Sequence, residues 1–156
     1  MIKFVRVDHR LIHGQVAFAW TKSLGIDCIL VASDSVAKDN LRMSALRMAA
    51  PSGVKVVIKS IEDSAANILS GKTDKYNLMI VLENIKDADR LTEKVTEIKK
   101  VNLGGVKKEE GKKQISKAVS VSEEECNILR KMNERGIALE VQMIPEDKMQ
   151  NAMTLI

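Results

Sequence analysis

The chain reads as an α/β protein: one open, mainly parallel twisted sheet of about seven strands with helices on both faces, over residues 1–156 as a single domain. Three observations predict this. Seven short apolar, β-branched runs punctuate the sequence, at Ile2–Val7, Cys28–Ala32, Val54–Ile58, Leu78–Leu82, Val101–Leu103, Ala118–Val121 and Ala138–Met143. Most are apolar at consecutive positions, as strands are when both faces of a sheet are covered. The segments between them repeat their apolar residues at helical spacing, and strand alternating with helix implies parallel pairing through crossovers.

The helical elements follow in order. Val16, Trp20 and Leu24 recur every four residues and place one face of a first helix on the sheet. Leu41, Ala45 and Met48 mark a second amphipathic segment, and Ile61, Ala65 and Ile68 a third. Ser60 with Asp63 reads as a weak capping box for the third helix, and Gly71 as its end. Ala88, Leu91, Val95 and Ile98 share a face of the fourth. Ser122 followed by three glutamates opens the fifth, which carries Cys126, Leu129 and Met132 and stops at Gly136.

Composition removes several function classes. Aromatic residues make up 3% of the chain, too few for the stacking platforms of a single-stranded nucleic-acid binder, so no nucleic-acid partner is expected. The formal net charge of +4 is small and mixed in sign along the chain, which makes RNA binding a weak alternative. Cys28 and Cys126 lie far apart without a CxxC pattern, so they read as core thiols of a reducing compartment. No stretch approaches the ~20 apolar residues of a membrane span, and Lys3, Arg6 and Asp8 interrupt any secretory leader. A cytoplasmic protein is expected.

In an open parallel sheet, ligands bind beyond the carboxyl ends of the strands. The candidates there are Asp8-His9-Arg10, Ser33-Asp34, Glu83-Asn84 and Gly104-Gly105. The first loop is chemically the richest. It holds both histidines, His9 and His13, and runs into a helix whose unpaired N–H groups attract phosphate. That positive end also disfavours a protonated imidazole, which keeps His13 neutral and nucleophilic. Arg10 offers a charged fork for phosphoryl oxygens, and Gly14 allows close approach. Asp8 can bond one imidazole nitrogen and leave the other to attack, or simply pair with Arg10. These parts suffice for a histidine that accepts and donates a phosphoryl group, but a loop histidine is also commonly structural.

The segment Arg6-Val7-Asp8-His9-Arg10-Leu11-Ile12-His13-Gly14-Gln15-Val16 resembles the active-site signature of the IIB component of the mannose–fructose–sorbose family of the bacterial phosphotransferase system. The likeness continues through Asp34–Asp39 with Arg42, Ala50–Lys55, Asn102–Gly105 and Lys117–Val121. It implies a cytoplasmic phosphocarrier, peripherally associated with the membrane transporter, that needs no cofactor and no metal. By the same resemblance His13 is the phosphorylated residue, through Nδ1, with Arg10 and Asp8 completing the catalytic set. Gly14 and Gln15 are the implied phosphate-binding positions. The implied partners are a phosphorylated IIA protein or domain outside these residues, the membrane IIC and IID components, and a hexose-type sugar. Residue 9, often acidic or small in the family, is His9 here; it either tunes substrate or partner choice or faces solvent.

Other features read as decoys. Ala66–Thr73 fits a permissive phosphate-loop pattern but ends a helix and precedes a strand, the reverse of the required order. His9 and His13 lack the intervening glutamate of a zinc helix. The charge run Lys107–Lys113 reads as a solvated loop or a docking surface, and Trp20 as a helix-face anchor. The alternative function is a non-catalytic anion-binding or regulatory module using the same loop, because fold alone proves no chemistry.

Overall fold

The computed structural model describes residues 1–156. The strands of the main sheet are β1 (Ile2–Asp8), β2 (Cys28–Ala32), β3 (Lys55–Lys59), β4 (Leu78–Leu82), β5 (Lys100–Gly105), β8 (Ala138–Val141) and β9 (Gln150–Asn151). They run in the spatial order β3-β2-β4-β1-β5-β8-β9, parallel except for the β8–β9 pair at one edge. Central β1 therefore pairs with β4 on one side and β5 on the other.

Strand alternation divides the core into two layers. Cys28, Leu30, Leu78, Ile80 and Leu82 face the layer of α3 (Ile61–Leu69), α4 (Ile85–Lys94) and α5 (Glu123–Glu134). Ile29, Val31, Met79 and Val81 face α1 (Gly14–Leu24) and α2 (Asn40–Ala49). Both faces of β2 and β4 are thus covered, which is why those strands are apolar throughout. No helix is long and apolar enough to cross a membrane.

Three expectations need correction. The run Ala118–Val121 does not join the main sheet: β7 (Ser120–Val121) pairs antiparallel with β6 (Lys113–Gln114), and Val119 forms only an isolated bridge to Val106. Its apolar side chains pack over the end of β5, so burial without sheet membership explains the strand-like pattern. The apolar stripe Leu41, Ala45 and Met48 faces solvent, with Leu41 82% and Met48 87% exposed. The Asp39 cap and an ion pair from Arg42 to Glu83 turn the other side of α2 inward, and Leu46 is buried there. Finally α4 ends at Lys94, so Val95 and Ile98 are buried by the following turn rather than by the helix.

The remaining helix signals correspond to what the residues do. Ser122 and Glu125 form the full reciprocal capping box of α5. Ser60 accepts from the Asp63 N–H at the start of α3, whereas Ser70 rather than Gly71 follows its last residue. Cys28 and Cys126 are buried free thiols, and burial pushes both above the ordinary thiol range.

Leu129, fully buried beneath α5, provides a packing test. Leu129→Ala should cost about 2–5 kcal/mol in urea unfolding. The exposed Leu41→Ala should cost less than about 0.5 kcal/mol, although both positions are leucines on helices.

Candidate functional site

The first loop leaves the carboxyl end of β1, and the side chains of that strand decide its shape. Val5 and Val7 point into the larger core, so Arg6 and Asp8 point to the α1 face. Both are charged and both are 1% exposed. Arg6 Nη2 meets Asp8 Oδ2 at 3.2 Å, while Arg6 Nη1 donates to Asn102 Oδ1 at 2.7 Å and to the Gln142 carbonyl at 3.2 Å. The guanidinium also lies 5.8 Å from the Trp20 ring centroid. Burial pushes the Arg6 guanidinium below its ordinary value, against the opposing pull of the Asp8 charge.

Two glycines on β5 make room for this pair. A Cβ on Gly104 would lie 1.9 Å from Arg6 Cζ, and one on Gly105 would lie 2.9 Å from Asp8 Oδ1. Gly104-Gly105, a predicted rim candidate, therefore acts as clearance for two buried charges. The other rim candidates are also engaged in structure. Asp34 accepts from the Ile61 N–H and from Arg90, and these bonds hold its carboxyl below the usual carboxylate range. Ser33 and Arg42 donate to Glu83, and Asn84 caps α4.

Asp8 passes the order outward. Its Oδ1 accepts from the Arg10 backbone N–H at 3.0 Å and from Arg10 Nε at 3.4 Å. Its carbonyl accepts from the Leu11 N–H at 2.8 Å. These bonds close a tight turn in which Leu11 adopts φ 61°, a left-handed conformation that is unfavourable for a branched residue. Burial holds it there: Leu11 and Ile12 are 3% and 5% exposed in the α1–α2 core. The chain then emerges at His13, which is exposed and stands at the N-cap of α1 with extended backbone.

His13 makes no side-chain cap, and the first turn of α1 carries no acidic residue. The positive end of the helix is therefore uncompensated beside an exposed imidazole. Gly14, with φ 29°, and Gln15 are exposed at this entrance. Arg10 is about one-third exposed, close enough to solvent to receive an anion. Of the two roles open to Asp8, the structure shows the pairing with Arg10: its oxygens are taken by Arg6 and Arg10, and it makes no hydrogen bond to His13. The imidazole nearest Asp8 belongs to His9, with Nδ1 3.9 Å from Oδ1, shielded from solvent and without a hydrogen-bond partner. Its backbone N–H donates to the Gly105 carbonyl.

Sequence reasoning assigned no role to Arg6 and Asn102. The available signal was an arginine inside the otherwise apolar run Phe4–Val7. Trp20 is the helix-face anchor expected of it: its ring stacks on Phe4, and its Nε1–H donates to the Met143 carbonyl at 2.9 Å. Ala66–Thr73 ends α3 and leads into β4, the wrong order for a phosphate loop. A cavity of about 380 Å³, lined in part by Phe4, Trp20, Leu24 and Asn102, contains none of residues 8–15.

Two outcomes test this construction. Arg6→Met should cost about 3–5 kcal/mol in denaturant unfolding, because it leaves the Asp8 charge buried without its main partner. Asp34→Asn should be less stable than the parent at neutral pH. A depressed carboxyl stabilises the fold above its unfolded value of about 4 and loses that contribution as pH falls through the folded value. The two unfolding curves should therefore converge below about pH 4.

The family described as "PTS system sorbose subfamily IIB component" matches residues 2–156. The mannose-specific EIIAB component of Escherichia coli (strain K12) is 40% identical over 159 residues, covering 100% of this chain and 48% of the relative. The chain thus spans about half the length of that relative. The fructose-specific EIIB component of Bacillus subtilis (strain 168) is 33% identical over 155 residues, covering 99% of this chain and 95% of the relative. Among solved structures, the IIBSor domain of the sorbose permease from Klebsiella pneumoniae superposes with a TM-score of 0.93 at 30% identity, over 99% of this chain and 94% of that one. The N-acetylgalactosamine-specific IIB component 1 from Escherichia coli gives 0.91 at 29% identity, over 97% and 99%. Sheet, helices and sequence therefore agree, and the chain belongs to the IIB components of the sorbose subfamily of the phosphotransferase system.

Proposed function

We propose that residues 1–156 act as one IIB unit that carries a phosphoryl group on His13 between a phosphorylated IIA partner and a sugar. The observation that carries this reading is the exposed His13 imidazole at an uncompensated helix N-terminus, three residues after an Arg10 whose backbone and side chain are bonded to a buried carboxylate. The proposed nucleophile is Nδ1 of His13.

The first step breaks the P–N bond of the donor phosphohistidine and forms a P–N bond on His13. Phosphoryl transfer of this kind is loose, so positioning and charge stabilisation supply most of the catalysis. Arg10 and the N–H groups of Gly14 and Gln15 would meet the equatorial oxygens. In the second step a hydroxyl oxygen of the sugar attacks phosphorus, the P–N bond breaks, and the hydroxyl proton passes to the released imidazole nitrogen, which regenerates unphosphorylated His13. The IIC and IID membrane components would present that sugar, and peripheral association with them would place the protein on the cytoplasmic side. An exposed loop suits two successive partners, since a buried one could reach neither.

The test is intact-mass spectrometry after incubation with phosphoenolpyruvate, the general phosphotransferase proteins and a matched IIA. Wild type should gain one acid-labile phosphoryl group, and His13→Gln none. An adduct that persists in His13→Gln would move the chemistry to His9. No adduct from a IIA shown to be phosphorylated would favour the anion-binding module instead. Arg10→Gln should load His13 more slowly by a factor of about 10², measured by rapid quench.

A further inference from the structure

Beside the His13 loop lies a second concavity of about 310 Å³ whose lining includes His9 and Arg10. Its walls are fixed by backbone bonds. The His9 N–H donates to the Gly105 carbonyl, the Val106 N–H to the Ala118 carbonyl, and the Ser120 N–H to the Val106 carbonyl. The β6–β7 hairpin closes the far side with Gln114 and Ser120. Gly105 and Ala118 are small residues of its lining.

The charge of this cavity is one-sided. Arg10, Lys107, Lys108 and Lys117 line it, and no carboxylate does. None of the three lysines forms an ion pair, whereas Lys112 in the same loop pairs with Glu109 and Glu125 and stays outside. Four cationic side chains around one concavity repel one another unless an anion occupies it. The volume falls at the lower end of ligand pockets, which run from about 300 to 1,000 Å³, and this suits a monosaccharide-sized molecule better than a nucleotide. Gln114 and Ser120 supply neutral hydrogen-bonding groups, which the hydroxyls of a sugar can use.

We propose that this cavity binds the phosphate monoester of a sugar, with the phosphate between Arg10 and the lysines and the hydroxyls toward Gln114 and Ser120. The choice of ligand rests on the phosphoryl-transfer reading, since that reaction releases such an ester within reach of Arg10. Occupancy engages Arg10 and so delays reloading of His13. The charge run Lys107–Lys113 then has a function in part of its length: its first two lysines line the cavity, while the rest of the loop is solvated or paired.

Binding is measured without any donor protein, by amide chemical-shift titration of the isotope-labelled chain with fructose 6-phosphate, fructose and inorganic phosphate in separate arms. Fructose 6-phosphate should bind at least about tenfold more tightly than either control, with the shifts centred on Gly105, Val106 and Ser120. Lys107→Gln combined with Lys117→Gln should weaken it at least about tenfold, while His13→Gln should retain it. Retention in His13→Gln separates this result from the fate of the phosphocarrier reading. Equal binding of inorganic phosphate, shifts centred on Gly14 and Gln15, or indifference to the double lysine substitution would each overturn the proposal.

Discussion

The loop that carries His13 at the carboxyl end of β1 depends on one pair of buried charges. Arg6 and Asp8 sit two residues apart on central β1, on the face opposite the larger core, and almost no solvent reaches either. Burying ions is expensive unless their remaining valences are filled. Here they are: Asn102, the Gln142 carbonyl and the Trp20 face take the rest of Arg6, and Arg10 takes the free side of Asp8. The two glycines of β5 are the geometric condition for this, because any side chain on Gly104 would occupy the place of the guanidinium.

A buried pair of this kind is poor evidence for stability and better evidence for specification. What it specifies is the turn. Asp8 fixes the Arg10 backbone and side chain together, and the turn then spends conformational strain at Leu11, whose burial with Ile12 holds it. The chain that emerges has a defined direction and delivers His13 to the N-terminus of α1 in an extended conformation. In the proposed transfer, an exposed imidazole on a flexible loop would meet its two partners in many orientations. A loop tied to a buried charge presents few, and effective transfer depends on such orientation.

Much of this architecture was legible because its signals are local. Cys28–Ala32 and Leu78–Leu82 are apolar throughout since helices cover both sides, and Ser122 with Glu125 announces the start of α5. The site loop was legible through its residue types, and His13, Gly14 and Gln15 stand exposed at the entrance of α1. What stayed hidden was long-range. Asn102 and Gln142 lie 96 and 136 residues from Arg6, and no periodicity connects them. The face of α2 was misread for a similar reason: Leu41, Ala45 and Met48 have helical spacing, but an ion pair to Glu83 on another strand end turns them to solvent. Ala118–Val121 shows that a buried apolar run need not belong to the main sheet.

The most direct test replaces the buried charges together, Arg6→Met with Asp8→Val, so that no lone ion is left behind. Paired apolar replacement of a buried ion pair commonly leaves a protein folded. The double variant should unfold cooperatively, and phosphorylated IIA should load its His13 at a rate lower by a factor of about 10², because Arg10 and the turn have lost their anchor. A folded double variant that loads His13 at the parent rate would contradict that expectation, and would show that the loop needs no buried charge to present its histidine.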